Sequence, residues 1–330
     1  MDLVTQGLVG AALAQAAAPR EEVRRAALVG ALAGVLPDAD TLIQSAADPL
    51  LVLEYHRHFT HALVFIPVGA LLVALLLWPM RKHLPFGRRY GYALLGLSMA
   101  GLLDACTSYG THLLWPFVDA PVSWSIIAIV DPAFSLGLAV GVVGALGRQR
   151  AAWARWGVVW GLLYLGLGVV QQQRAAQTAE ALIAQRGHAP EATEVKPTLA
   201  NLVLWRVVYQ EADTLFAMAV RPGLRQVTVY EGTQAPRFTA DTTVAQTLEQ
   251  LEALRRFERL SEGWLVRHPT QPAFVGDARF AMLPTSTRPL WGVVFEASAS
   301  PPYRFENDRT LSDAGRAAFI AMLRGDEVQP

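Results

Sequence analysis

Residues capable of chemistry gather in two short stretches of this chain of 330 residues. The first holds Asp38 and Asp40 in PDAD, followed by His56, Arg57, His58, Thr60 and His61 in HRHFTH. The second holds Asp104, Thr107 and His112 in DACTSYGTH, with Trp115 just beyond and Asp131 further downstream. Carboxylate oxygens combined with neutral imidazole nitrogens suit Zn²⁺ first, with Mn²⁺ or Fe²⁺ as alternatives, better than a soft metal. A divalent ion lowers the pKa of a bound water towards neutrality, and a spare carboxylate can take the released proton. The pattern therefore points to metal-assisted hydrolysis. Asp40, His56, His61 and Asp104 form the metal-binding set, with Asp131 as a further ligand or a partner behind the ligands. Asp38 is a ligand or the proton-accepting carboxylate, Arg57 stabilises negative charge on the substrate, and Thr60 and Thr107 fix the ligands by hydrogen bonds. Plainer roles stand beside these: Asp38 or Asp40 as a helix cap, Arg57 as the neutraliser of a carboxylate, His58 as a solvated neighbour, and His112 as an interface residue beside Trp115. Cys106 reads as a small core residue.

The elements that must position these residues are apolar. Hydrophobic residues make up 52% of the chain and charged ones 17%, against about 25% charged in soluble proteins. Mean hydropathy is +0.28. Lys+Arg and Asp+Glu balance at 28 each, which excludes nucleic-acid binding through net positive charge. One cysteine excludes an internal disulfide framework and any multi-cysteine metal site. The charge is unevenly spread: residues 1–174 hold 12 Lys/Arg and 10 Asp/Glu, and residues 175–330 hold 16 and 18.

Uncharged stretches run over 3–19, 26–37, 62–80, 90–103, 132–147 and 156–173. A bilayer crossing needs about 20 apolar residues, with a range of about 17–25. Segments 62–80 and 156–173 qualify outright. Segments 90–103 and 132–147 qualify only if they include Asp104 and Asp131, and the two short Ala/Gly-rich segments are tightly packed spans or a half-inserted hairpin. A cleaved signal peptide fits poorly, because Asp2 stands where a basic region is needed. Arg20, Arg24 and Arg25, then Arg81, Lys82, Arg88 and Arg89, then Arg148, Arg150 and Arg155 occupy alternate loops. Basic loops stay cytoplasmic. That rule places the acidic loops 37–61 and 107–124, and everything after Gln173, on the outer face. Ionisable groups at membrane depth are costly and mark function.

The expected architecture is an α-helical multi-pass membrane domain of about 5–6 helices over 1–173, followed by a soluble, extracytoplasmic α+β domain with an antiparallel sheet over 174–330. Residues 174–186 extend the last helix as a polar stalk that Gly187 and Pro190 stop. Short β-branched or aromatic runs at 199–210, 214–220, 226–230, 264–267, 273–280 and 290–296 read as strands. Residues 243–259 and 311–323 have helical spacing. His188 and His268 read as isolated surface residues.

Several blocks together resemble a known family: MDxxTQ at 1–6, LPDAD at 36–40, HRHFTH at 56–61, LLDACTSYGTHLLWPF at 102–117 and IAIVDP at 127–132. They are similar to the YdjM-like proteins, membrane-bound metal-dependent hydrolases also described as LexA-binding, inner-membrane-associated proteins. The likeness covers about residues 1–172, and KPTLANLVLWRVV at 196–208 resembles the segment that follows in longer members. It implies a multi-pass protein of the bacterial plasma membrane with a metal site at the residues above, acting on a lipid-linked or phosphoester substrate. The sequence departs from the family at two places: Ala100 where many members have a histidine four residues before the aspartate, and Gln6 where some have histidine. Two rivals remain open at the sequence level. One is a non-enzymatic membrane scaffold whose outer domain binds a partner. The other is a transporter, disfavoured because the charges gather at one face. Membrane lipid is the one partner expected, with no nucleic acid.

Overall fold

In a computed structural model that describes residues 1–223, 226–239 and 244–328, the first half of the chain is helical. Helices α1 (Leu3–Ala17), α2 (Val23–Val35), α3 (Leu51–Tyr55), α4 (Phe65–Leu76), α5 (Phe86–Ser98), α6 (Ala100–Ala105), α7 (Pro132–Arg148) and α8 (Ala151–Gln185) follow in order. Each of the six uncharged stretches becomes helical, but mostly over a shorter span than a bilayer crossing needs. Among the described residues, only α8 is long and apolar enough to cross a membrane alone. A second candidate, 51–61 joined to Phe65–Leu76, is bent by 86° at its break. Asp2 caps α1 by accepting from Thr5 N, and Asp131 caps α7 by accepting from Phe134 N at 3.2 Å.

The helices pack with small residues inside and large ones outside. Ala12, Ala14, Ala26, Ala33, Ala70, Ala74, Ala93, Ala145 and Ala154 are fully buried, whereas Leu71, Leu72 and Leu76 on α4, Val140 and Val143 on α7, and Trp156, Leu162 and Leu163 on α8 are exposed. Small residues let backbones approach closely, as in membrane helix pairs. At the α1–α2 crossing a Cβ added to Gly10 would lie 2.2 Å from the Gly30 carbonyl oxygen, so only glycine fits there.

The chain divides into two units. The first comprises Met1–Ile43, Tyr55–Val170 and Leu199–Asn201; the second comprises Gln44–Glu54, Gln171–Thr198 and Leu202–Pro330. Within the second, β1 (Ala192–Pro197), β2 (Trp205–Glu211), β3 (Thr214–Pro222) and β4 (Val227–Pro236) form one antiparallel sheet in that order. Strands β5 (Leu265–Arg267), β6 (Phe274–Asp277), β7 (Trp291–Phe295) and β8 (Tyr303–Asn307) form another. The strands β1 and β8 had no expected counterpart, because neither run is apolar enough to read as a strand. Helix α9 (Leu248–Leu260) starts at a capping box in which Thr247 Oγ1 accepts from Gln250 N and Gln250 Oε1 accepts from Thr247 N. Thr243, where that helix was expected to begin, lies outside the described residues. Helix α10 (Asp313–Arg324) closes the chain's regular structure.

The segment 44–54 belongs to the second unit's core. Leu50 is fully buried with Phe238, Leu254, Phe257, Leu265, Val275 and Val293. Arg256 reaches Asp48 at 2.8 Å and is also paired with Glu54. His268 corrects its sequence reading. It is buried, 2.9 Å from Asp308, with Phe274 stacked on its ring at 5.0 Å and Arg288 Nε at 3.0 Å. His188 is half-buried against Tyr209 and Phe216.

Candidate metal centre

Two tight turns and one short helix bring the first cluster to the second. Pro37 starts a 3-10 turn over Pro37–Leu42 directly after α2, and this turn carries Asp38 and Asp40, both buried. Arg57, at φ 62°, reverses the chain after His56, so that a second 3-10 turn, Phe59–His61, faces the first. Asp104 sits near the end of α6, fully buried.

Asp40 organises this arrangement. Its Oδ1 lies 2.9 Å from His56 Nδ1. Its Oδ2 accepts from Arg57 N at 2.9 Å and from Thr60 Oγ1 at 2.8 Å, and lies 3.1 Å from His61 Nδ1. Burial pushes the Asp40 carboxyl up, but the hydrogen bonds from His56 and His61 outweigh it and hold the group well below the usual carboxylate range. With Nδ1 of His61 turned to Asp40, its Nε2 faces Asp104 Oδ2 at 3.0 Å and Asp38 Oδ1 at 3.5 Å.

The residues present fit a divalent ion. His61 Nε2, Asp104 Oδ2 and Asp38 Oδ2 are all buried without a hydrogen-bond partner, although His61 lies so near both carboxylates. Buried polar groups are rarely left so. The 3.5 Å separation matches the edge of a tetrahedron with bonds of about 2.0–2.2 Å, the lengths of zinc–nitrogen and zinc–oxygen bonds, and the 3.0 Å separation is somewhat shorter than that edge. Ligand atoms of Asp38, His61 and Asp104 lie within 4.8 Å of one another, as do those of Asp38, Asp40 and His56, so Asp38 is common to two groups.

The other expected residues fall into place around this centre. Thr60 bonds Asp40, and Thr107 Oγ1 donates to the Asp104 carbonyl at 2.8 Å while accepting from Arg57 at 2.7 Å. Arg57 is buried, with Nε 3.3 Å from Asp104 Oδ2 and its guanidinium over the Tyr109 ring. Its charge thus faces Asp104, not open space. The α-amino group of Met1 is also paired with Asp104, so beside Arg57, whose role as neutraliser of a carboxylate the sequence offered, that carboxylate has a partner which the sequence did not suggest. Asp131 is placed differently from its expected role. It is in neither ligand group, and both its oxygens accept from Tyr164 at 2.9 Å while it caps α7. A proline immediately after an aspartate at a helix start was the available sign of that cap. Ala100 and Gln6, the two departures from the family pattern, touch: Gln6 Nε2 donates to the Ala100 carbonyl at 3.2 Å.

No curated protein and no solved structure matches the chain. Residues 1–175 match the family described as YdjM inner membrane protein, with both turns, α6 and every residue of the centre inside the match. Covering more than half of its length, this match shows that the chain belongs to the YdjM inner membrane protein family.

Proposed function

We propose that this protein is a multi-pass, metal-dependent hydrolase of the bacterial plasma membrane, acting at the outer face on a lipid-linked or phosphoester substrate. One observation carries the reading: a buried imidazole nitrogen, His61 Nε2, set among two carboxylates and aligned for a hydrogen bond to neither. Asp38, His61 and Asp104 would hold one ion, with Asp40 and His56 beside Asp38 as the place for a second. Bound there, a divalent ion supplies Lewis acidity and a more acidic water. Asp40 fixes the His61 ring, so that Nε2 points to the centre before any ligand arrives. Asp38, with an unpartnered Oδ2, is the carboxylate placed to take a proton from an attacking water. Arg57 balances the charge of Asp104. The exposed leucines, valines and tryptophans of α4, α7 and α8 support a lipid-facing surface, and the arginine-rich alternate loops support the outward orientation.

The pairing of Asp104 with Arg57 and the Met1 amine favours a second reading, in which the network is structural and the protein is a scaffold. Elemental analysis of full-length protein, purified in detergent on a tag without histidine, separates the two. Stoichiometric divalent metal is expected in the wild type and in Asp131→Ala, which gives up the α7 cap and the bonds from Tyr164 but none of the ligands of this centre. His61→Ala and Asp104→Asn should each lose most of the metal of this centre. Wild-type protein with as little metal as His61→Ala would leave the scaffold reading standing.

A further inference from the structure

The HRH triplet sends its three side chains to different places. His56 meets Asp40, Arg57 meets Asp104, and His58 meets neither. Its Nε2 lies 3.4 Å from Asp119 Oδ1, and the same oxygen lies 3.0 Å from Nδ1 of His112. The two imidazole rings are 4.7 Å apart at 46°. His112 Nδ1 is close to the carboxylate but not aligned for a hydrogen bond, and it is buried with no other partner; His58 Nδ1 is likewise unpartnered. We infer that His58, His112 and Asp119 form a second divalent-metal site, of the zinc class, separate from the buried centre.

Three observations carry this. The donor set is two imidazoles and one carboxylate, which suits zinc, and their ligand atoms lie within 4.8 Å of one another. The 3.4 Å separation is a tetrahedral edge for bonds of about 2.0–2.1 Å, and the 3.0 Å one is a few tenths of an ångström shorter, which the exposed Asp119 carboxylate can give. The two histidines are also held in place by other contacts: His58 by the rings of Tyr55, Phe59 and Trp115, and His112 through its amide, which donates to the Arg57 carbonyl at 3.0 Å. That positioning reduces the entropy lost when an ion binds. Asp119 is 72% exposed, so ions reach the site directly from solvent. An ion here would join loop 55–61 to loop 112–119 across the backbone of Arg57. This inference does not depend on the buried centre being a metal site.

The test uses full-length protein in detergent, purified on a tag without histidine, stripped with chelator and titrated calorimetrically with Zn²⁺. Wild type is expected to bind one equivalent that Asp119→Asn and His112→Ala lose or bind at least about tenfold more weakly, the smallest loss seen when even an outer partner of a ligand is removed. His61→Ala should retain that equivalent. Equal stoichiometry and affinity in wild type, Asp119→Asn and His112→Ala would overturn the assignment. Because Asp119 is exposed, its replacement leaves the fold intact, and Asp119→Cys provides a direct readout. Loaded with Co²⁺, this variant should show a thiolate-to-cobalt charge-transfer band in the near ultraviolet that wild type lacks. Absence of that band would equally overturn it.

Discussion

Individual side chains in this protein are held by burial as much as by partners, and Lys196 on β1 makes the point outside the metal centre. Its ammonium lies 3.8 Å from the centre of the Phe280 ring, is buried, and has no hydrogen-bond partner. Burial pulls its pKa down to about 7, against a weaker opposing effect of Glu194. The folded protein therefore sheds this proton near pH 7, whereas the unfolded chain keeps it until about 10.5. Between those values the unfolded state binds more protons, so stability must rise with pH, by up to about 1.4 kcal/mol per unit from this one group. In thermal unfolding of the full chain in detergent, the slope of Tm between pH 7 and pH 9 should be more positive in the wild type than in Lys196→Met. A slope unchanged in Lys196→Met would assign it to other groups.

At the scale of elements, the centre depends on how closely α6 approaches the turn that carries His61. A Cβ added to Gly101 would lie 2.1 Å from the His61 carbonyl oxygen, a backbone atom that cannot swing aside. Gly101→Ala must therefore push Phe59–His61 away from Asp104, which is three residues further along the same helix. We expect a loss of about 1–3 kcal/mol of stability, the usual range for overpacking, together with weakened metal binding at the buried centre. Gly91 on α5 is the control, since a Cβ there meets nothing within 4 Å. Gly91→Ala should be neutral or stabilising by up to about 1 kcal/mol and should keep the metal. Equal metal content in Gly101→Ala and wild type would show that the separation of α6 from the turn does not control the site.

For the whole molecule, sidedness turns on the segment 44–54. This stretch leaves the first unit after Ile43 and returns at Tyr55, and in between it places Leu50 in the core of the second unit. Segment 44–54 therefore belongs with the C-terminal domain, and the two share one side of any membrane. From the arginine distribution we expect the C-terminal domain on the outer side. A reporter active only in the periplasm, fused after Pro330, should be active, and a cytoplasm-only reporter at the same place should be silent. The opposite pattern would move the domain to the inner face.

Composition and motif spacing alone were enough to read the division into an apolar helical half and a polar β-rich half, since segregation of charge is visible without coordinates. They also revealed the family, because HRHFTH and DACTSYGTH are specific blocks, and the stalk of α8, which ends at Gln185 just before Gly187 takes a φ of +73°. Helix lengths were less legible. An uncharged run does not fix the ends of a helix: α8 extends well beyond 156–173 on both sides, whereas α1, α2 and α4 stop ahead of Pro19, Pro37 and Pro79. Partnerships across the chain were decided only in three dimensions. Apart from the proline that follows Asp131, the local sequence does not separate Asp131, which bonds Tyr164, from Asp104, which faces His61, since both interrupt an apolar run at its end. Likewise His268, isolated in sequence, is buried against Asp308, forty residues away along the chain. Side-chain chemistry is local and so can be read residue by residue. Which donor meets which acceptor depends on how distant backbones pack, and in this protein that was set by contacts as close as those at Gly10, Gly30 and Gly101.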